Sequence, residues 1–396
     1  MRTRTRGAAA LTAAALTGIA LLTTSTSGVA AARQRPACTP SWSEAALPAP
    51  SGAGFPTGVA ASSTHNVWFT GTPAGMPLLR WDGKTIAAAP QQLPVVENIQ
   101  LNSTSTALDA TGTGWMLTQS FGAGSEATTS FQLRDGRWTM TPSAVSPDPK
   151  QRGVLLWDVA SLSASDAWSV GRFYKPEKGA GPGFAKPTGA LIEHWDGAEW
   201  TIVDNPLDEA PGAELRAVTA ISPTDIWAVG YREDGDGDIA PLTMHYDGRK
   251  WAETPAASTS AVLTAVSASD TGDVWAVGTL MGGGQVSMHW DGRTWSLVDG
   301  IADGSLADLR AVYAAAPGDV WAVGTGTNGV NQLLHGNGST WQDATPPAMR
   351  QSGTDFHLSD ITGTGPDETW VVGGYDVGDG SHRPRPLAYH RSCGGS

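Results

Sequence analysis

The sequence contains little cysteine and little charge. Only two of its 396 residues are cysteine, Cys38 and Cys393, and they stand near opposite ends of the chain. Charged residues make up 16% of the chain, and because 38 acidic residues outnumber 25 lysines and arginines, the formal net charge is −13. Nucleic-acid binding is therefore not expected, since holding phosphate groups requires clusters of Lys and Arg.

Long apolar runs are missing after the first residues. Three arginines precede an apolar stretch that ends near Leu22, and small residues follow to Ala32. This order is typical of a secretory signal peptide and is too short for a convincing membrane span. We therefore expect residues 1–32 to be removed, giving a secreted protein with no membrane span; an uncleaved anchor is the alternative. Removal takes away three arginines and no acid, which changes the net charge from −13 to −16.

Tryptophan, in contrast, is abundant, with 17 residues. Seven of them stand in the same short phrase at intervals of 46 to 59 residues. These seven are Trp68, Trp115, Trp168, Trp227, Trp275, Trp321 and Trp370. The phrase is clearest as Ile226-Trp227-Ala228-Val229-Gly230, a strand-like run of β-branched and aromatic residues closed by glycine. A period of about fifty residues, repeated seven times, predicts a radial or solenoidal repeat fold.

Each repeat unit carries signals for four short strands. A strand that contains a leucine such as Leu215 precedes the tryptophan strand, and an acid such as Asp225 stands in the turn between them. A third strand ends in Asp-Gly, which is typical of a tight hairpin, and a fourth strand opens with a tryptophan such as Trp251. The sequence therefore predicts an all-β, seven-bladed β-propeller of four-stranded antiparallel blades over residues 33–396. We expect the in-register tryptophans to pack between neighbouring blades.

The two ends of the chain complement each other. The segment around Trp42 resembles a fourth strand with no first three, and residues 386–393 resemble a third strand with no fourth. We expect them to share the seventh blade, which closes the ring. The same alignment places Cys38 and Cys393 where other blades have their Asp-Gly turn, so we predict a disulfide between them.

Histidine would suggest a metal or catalytic site, but five of the eight histidines occupy one repeat position. They are His194, His245, His289, His335 and His390. Repetition in every blade favours a structural role, so we expect these side chains to form hydrogen bonds within their blades. No Ser-His-Asp set, zinc spacing, phosphate loop or dinucleotide fingerprint is apparent, and we expect the protein not to be an enzyme.

Length variation is confined to the connections on one face of the predicted propeller, such as the connection between the second and third strands of the third blade, which we expect to run from Arg172 to Gly189. Because variable loops on a rigid scaffold usually carry function, we expect ligand binding there. The position after the strand-one leucine varies chemically where its neighbours are uniform, and it includes Trp157, Arg216 and Arg310. The predicted ligand-binding residues are Trp157, Asp158, Tyr174, Arg216, Tyr231, Arg232, Arg310 and Tyr375.

An acidic segment lies in one of these loops. Carboxylates alternate with glycines at Asp234, Asp236 and Asp238, a spacing that suits Ca²⁺, although the distal Glu of a complete calcium-binding loop is missing. The segment is either a calcium site or a solvated acidic loop, and no other cofactor is expected.

The hairpin from Ser287 to Trp295, with Asp291-Gly292 at its turn, resembles a shortened Asp-box of sialidase-like propellers. The blades are also similar to those of galactose-oxidase-like or kelch propellers. Across the mature chain, the Trp-Ala-Val-Gly phrase resembles the lectin-like propeller subunits of actinobacterial umbrella toxin particles. That resemblance implies a role in recognising a glycan or another cell-surface ligand.

The leading hypothesis is therefore a secreted, non-catalytic, lectin-like binding protein, such as a targeting subunit of a secreted toxin particle. One alternative is a protein–protein interaction scaffold with a secreted protein partner. The other is a carbohydrate-active enzyme with its site at the mouth of the channel.

Overall fold

The fold was derived from a computed structural model. It describes residues 39–48, 54–71, 77–91, 93, 100–121, 128–142, 153–175, 186–233, 236–298, 306–326, 331–349, 356–376 and 384–393. The predicted signal peptide, residues 1–32, lies outside this part of the chain, and its cleavage stays a prediction. No helix in the described segments has the length and apolar character needed to cross a membrane.

Short strands follow one another through the described residues, joined mostly by tight turns. Blade 1 contains β2 (Pro56–Ser63), β3 (Asn66–Gly71), β4 (Leu79–Trp81) and β5 (Ile86–Ala88). Blade 2 contains β6 (Gln100–Leu108), β7 (Gly114–Phe121), β8 (Thr128–Arg134) and β9 (Arg137–Thr141). Blade 3 contains β10 (Gly153–Ser163), β11 (Asp166–Tyr174), β12 (Pro187–Trp195) and β13 (Trp200–Ile202). Blade 4 contains β14 (Ala213–Ser222), β15 (Asp225–Glu233), β16 (Ile239–Tyr246) and β17 (Trp251–Thr254).

The remaining blades repeat this order. Blade 5 contains β18 (Ala261–Asp270), β19 (Asp273–Leu280), β20 (Gln285–Trp290) and β21 (Trp295–Leu297). Blade 6 contains β22 (Leu306–Ala316), β23 (Asp319–Gly326), β24 (Asn331–Gly336) and β25 (Trp341–Asp343), followed by a 3-10 turn at Pro347–Met349. Blade 7 contains β26 (Phe356–Gly365), β27 (Glu368–Asp376), β28 (Pro384–Ser392) and, from the start of the chain, β1 (Ser41–Glu44).

The sheets confirm the predicted seven-bladed architecture and its closure. Each blade is a four-stranded sheet of sequential antiparallel strands, and in the seventh the order is β1-β28-β27-β26. The N-terminal strand pairs with β28 from Ser41 opposite Ser392 to Glu44 opposite Tyr389. The first strand of each blade contacts the first strands of both neighbouring blades, including β26 with β2, so that the inner strands surround a central channel.

The second-strand tryptophans pack between blades, as predicted. In six blades, this ring contacts the fourth-strand tryptophan of the next blade edge to face, with centroids 4.7 to 5.6 Å apart. The fourth strand of blade 1 has no tryptophan, and Trp370 packs on Phe69 and Trp81 instead. Trp227 and Trp275 are almost wholly buried. Replacing such a ring with alanine typically costs about 3–5 kcal/mol of stability, so these contacts hold neighbouring sheets together.

The repeated histidines form hydrogen bonds within their blades, as predicted. In blade 5, the His289 ring stacks on Trp275 with centroids 4.4 Å apart, and its Nε2 lies 2.7 Å from Asp273, the first residue of the second strand. The same pairing joins the histidine to an acid in blades 3, 4, 6 and 7. In blade 7 the acid is Glu368 at the same offset. These histidine side chains therefore have a structural role within their blades.

The Asp-Gly pairs that follow the third strands form the predicted tight turns. In the blade 4 hairpin, the Asp247 side chain accepts hydrogen bonds of 2.9 Å from the backbone N–H groups of Arg249 and Lys250. Those hydrogen bonds, led by that from Lys250, lower the pKa of the Asp247 carboxyl. Gly248 follows with φ of +85°, a conformation that disfavours residues with a side chain. The recurrence of Asp-Gly at this position is thus explained by turn geometry alone.

Some strands are longer than the sequence pattern indicated. The connection predicted to start at Arg172 starts only after Tyr174, because β10 and β11 keep pairing out to Gly153 opposite Tyr174. Cys393 directly follows β28, whereas Cys38 lies outside the described residues. The disulfide therefore stays a prediction from the sequence.

Candidate functional site in the central channel

Every inner strand carries a β-bulge at the same place. In blade 4, Leu215 pairs with Gly230 and Ala217 pairs with Val229, which leaves Arg216 as the extra residue. The corresponding extra residues around the ring are Thr57, Thr104, Trp157, Arg216, Thr264, Arg310 and Ser359. A bulge redirects a side chain out of the regular alternation of a strand. The position that varies chemically in the sequence is therefore the bulge position of the fold.

The bulge residues line one cavity in the channel, with a volume of about 370 Å³. Its charged lining residues, within the described part of the chain, are Asp158, Arg216, Arg310 and Asp360, and threonine and serine supply much of the rest. Each bulge lies nearer the start of its inner strand than the turn at its end. The inner strands start on the face where the longer connections emerge, so the ring of bulges lies towards that face.

A buried ionic cluster supports the cavity between blades 3 and 4. Glu214, whose side chain is fully buried, accepts a hydrogen bond of 2.7 Å from Arg172 and one of 3.0 Å from the Tyr231 hydroxyl, and it forms an ion pair with Arg216. The Arg216 guanidinium lies over the Trp157 ring, 4.3 Å from its centroid. Burial, and then the Glu214 charge, raises the pKa of Tyr231. These contacts fix two cavity side chains, Trp157 and Arg216, in defined positions.

Two aspartates at equivalent positions join neighbouring blades inside the channel. Asp158 accepts a hydrogen bond of 2.8 Å from the N–H of Val218 in blade 4, and also one from the Ser105 hydroxyl in blade 2. Asp360 in blade 7 accepts one of 2.9 Å from the N–H of Val59 in blade 1. Burial raises the pKa of both carboxyls, that of Asp360 to about 7. Each aspartate thus supplies an acceptor to a backbone group of the next blade.

The structure brings together four of the predicted ligand-binding residues at this cavity: Trp157, Asp158, Arg216 and Arg310. Tyr231 lies behind them, against Glu214. Tyr174 packs on the same side over Gly153 and is only 9% exposed. Arg232 and Tyr375 lie elsewhere: Arg232 is ion-paired with Glu253 beside a second hollow of about 550 Å³, and Tyr375 packs on the core between blades 6 and 7.

The predicted calcium ligands are only partly described. Asp236 and Asp238 lie between β15 and β16, and Asp234 falls outside the described residues. No group of three or more potential metal ligands is found within the described segments. Calcium binding by this loop stays a prediction.

Three residues of the site were not singled out from the sequence: Arg172, Glu214 and Asp360. Glu214 could have been found, because it stands in an apolar strand directly before the strand-one leucine, and Asp308 stands in the same place in blade 6. Asp360 shares its offset from that leucine with Asp158. Arg172 gave no comparable signal, since it was assigned to a loop.

No family model matches the chain, and no curated protein matches it in sequence. Solved structures match it in fold. YCF48 bound to D1 peptide has 18% identity and a TM-score of 0.57, over 89% of this chain and 94% of that chain. The GH74 xyloglucanase from Xanthomonas campestris has 14% identity and a TM-score of 0.56, over 88% of this chain and 55% of that chain. A chain of the mitotic checkpoint complex has 11% identity and a TM-score of 0.53, over 95% and 98%.

At these identities the likeness establishes the fold and no more. The matching folds include both a carbohydrate-active enzyme and propellers in complexes with peptides or proteins. A propeller is a general scaffold for binding, so the function has to be argued from the site of this chain.

Proposed function

We propose that the chain is a secreted, non-catalytic binding protein that recognises a carbohydrate at the ring of bulges. The observation that carries this proposal is the contrast between two repeat positions. The packing positions hold the same residue type in blade after blade, whereas the bulge position changes from threonine to tryptophan to arginine around one cavity. Packing between identical blades does not require such variety, but selective binding of an asymmetric ligand does.

Carbohydrate is the ligand class that suits this lining best. A sugar presents many hydroxyl groups, each of which both donates and accepts hydrogen bonds. The cavity is lined by the Ser359 hydroxyl and by the guanidinium groups of Arg216 and Arg310, and the Thr264 hydroxyl, which donates to the Leu309 carbonyl, can still accept a hydrogen bond. Trp157 adds an aromatic ring, held in place by Arg216. In small-ligand sites, a few placed polar groups fix the orientation of the ligand, and these hydroxyl and guanidinium groups could do so for a sugar.

The finer form of the proposal, a targeting subunit of a secreted toxin particle, rests on the Trp-Ala-Val-Gly repeat phrase. An interaction scaffold in a secreted complex is the second candidate. It is favoured by the fold likeness to a propeller bound to a peptide. The two differ in where the partner would sit, because a protein would cover the outer surface of the loop face rather than enter a cavity of about 370 Å³.

A glycan array with the mature protein tests the proposal. We compare the parent with Trp157→Thr, which places in blade 3 the residue that blade 5 has at its bulge, and with Arg232→Thr on the same face but outside the cavity. Binding should appear in the parent, fall strongly in Trp157→Thr and persist in Arg232→Thr. A silent array, together with a stable protein partner from culture supernatant, would favour the scaffold. Cleavage of any polysaccharide would show an enzyme.

A further inference from the structure

We infer that the carbohydrate is acidic, and that Arg310 binds its carboxylate, with Arg216 as a second anion-binding group. The inference rests on the function proposed above and specifies the ligand class of that site. It is carried by the way the two arginines are held, which differs from the way the two aspartates of the same cavity are held.

Arg310 is oriented by an acid two residues before it. Asp308 accepts a hydrogen bond of 3.1 Å from the backbone N–H of Thr325 through one carboxylate oxygen, and one of 3.0 Å from Nε of Arg310 through the other. The acid therefore engages only Nε. The terminal nitrogens of Arg310 have no hydrogen-bond partner among the described residues, and this side chain, 37% exposed, lines the cavity.

Arg216 repeats the arrangement in blade 4. Glu214, again two residues earlier, forms its ion pair with Nε of Arg216, while Arg172 and Tyr231 hold the other oxygen of that carboxylate. The guanidinium is further fixed against Trp157. In both blades, an acid two residues earlier pairs with Nε of an arginine that lines the cavity, and Arg216 also contacts the Tyr231 ring, so the terminal nitrogens of Arg310 are the less engaged pair. A guanidinium edge with two N–H groups matches a planar carboxylate.

The two aspartates of the cavity, in contrast to the arginines, are already hydrogen-bonded to the backbone and are not available to a ligand. Both oxygens of Asp158 and both oxygens of Asp360 accept hydrogen bonds from backbone N–H groups. They also follow the bulge residue and so lie farther from the loop face. Their carboxylates are therefore engaged with the blades, and among the described lining residues the charged side chains left to meet a ligand are the two arginines.

The fold does not need arginine at these positions. The equivalent bulges in the blades on either side of blade 6 carry Thr264 and Ser359. An arginine that costs desolvation and side-chain entropy, where threonine or serine suffices for the same geometry, is expected where it binds something. Arg310→Thr is consequently a variant that should fold, whereas Arg216→Thr also removes one partner of the buried Glu214 carboxylate and needs its melting temperature measured beside it.

The test uses an array of oligosaccharides in acidic and neutral pairs: galacturonate against galactose oligomers, sialyllactose against lactose, and sulfated against neutral lactose. The acidic sugar with the highest affinity is then titrated calorimetrically into the parent, Arg310→Thr, Arg216→Thr and the control Arg232→Thr. We expect a carboxylated sugar to bind more tightly than its neutral partner. We expect Arg310→Thr to weaken that binding roughly ten- to a hundredfold, Arg216→Thr to weaken it less, and Arg232→Thr to leave it unchanged.

The possible outcomes separate this inference from the proposed function. Neutral sugars that bind as well as acidic ones, with binding lost in Trp157→Thr but not in Arg310→Thr, would overturn the inference and leave the proposed function standing. A preference for the sulfated sugar over every carboxylated one would overturn the carboxylate assignment. If no sugar of any kind binds, both the proposed function and the inference fail.

Discussion

The acid at the start of the second strand should stabilise some blades far more than others. In blade 5, Asp273 accepts hydrogen bonds from Trp275 Nε1 at 2.9 Å, from His289 Nε2 at 2.7 Å and from the Ser269 hydroxyl. Burial disfavours ionisation here, but the bonds from His289, Ser269 and Trp275 outweigh it and lower the pKa of Asp273. The carboxylate can only accept, so each of these groups donates to it.

Blade 3 provides a matched control. Asp166 has the same place in the repeat and accepts a hydrogen bond of 2.9 Å from His194, but Trp168 Nε1 has no partner among the described residues. The Asp166 side chain is also 21% exposed, whereas the Asp273 side chain is 8% exposed. Replacing either aspartate with alanine therefore removes the histidine bond, and only the change at Asp273 also leaves a buried indole N–H without an acceptor.

The magnitudes follow from the donors left unpaired. Each buried donor that loses its partner costs about 1–3 kcal/mol, so we expect about 3 kcal/mol for Asp273→Ala and about 1 kcal/mol for Asp166→Ala. For a domain of this size, the unfolding entropy is about 0.7 kcal/mol per degree. The melting temperature, followed by near-UV circular dichroism, should fall by about 4 °C and about 1.5 °C, respectively. If Asp166→Ala lowers it as much as Asp273→Ala, the reasoning is refuted.

Three further predictions concern pH, redox state and metal. Burial raises the pKa of Asp360 to about 7, above its unfolded value of about 3.9. Between these two pH values, the folded state holds a proton that the unfolded state has lost. The free energy of unfolding therefore falls as the pH rises from about 4 to about 7. The parent should therefore lose more melting temperature than Asp360→Asn between pH 5 and 8; equal losses would contradict this. Thiol labelling of the unreduced, denatured mature protein should detect no free thiol if Cys38 and Cys393 are joined, whereas two free thiols would exclude the bond. Reduction of the disulfide should lower the free energy of unfolding by on the order of 5 kcal/mol. Added Ca²⁺ should raise the melting temperature of the parent but not of Asp236→Ala, and no effect on the parent would remove the calcium site.

The repeat made the fold accessible from the sequence. Trp227 and its equivalents recur because each must fill the same space between sheets, and the glycine after Asp247 recurs because its turn needs a positive φ. Such constraints act in every blade, so they appear as a period. The ring closure followed from the one place where the period was cut, around Trp42 and the C-terminal residues.

The site was less accessible, because it depends on what differs between blades. The variable position after the strand-one leucine was visible, but pairing showed that Arg216 and its equivalents are bulge residues. Glu214 was overlooked because its role lies in contacts to Arg172 and Tyr231, which are distant from it in sequence. Arg232 and Tyr375 were predicted to bind the ligand because of their chemistry and their expected face. In the structure, Arg232 pairs with Glu253 and Tyr375 packs on the core between blades 6 and 7.

The ligand is proposed to bind at the ring of bulges in the channel. A crystal structure of the mature protein with the tightest sugar from the array tests this proposal most directly. The sugar should lie in the cavity of about 370 Å³, in contact with Trp157 and with its acidic group on Arg310. A sugar bound on the outer edge of the blades, or beside Arg232, with the cavity unchanged, would contradict it.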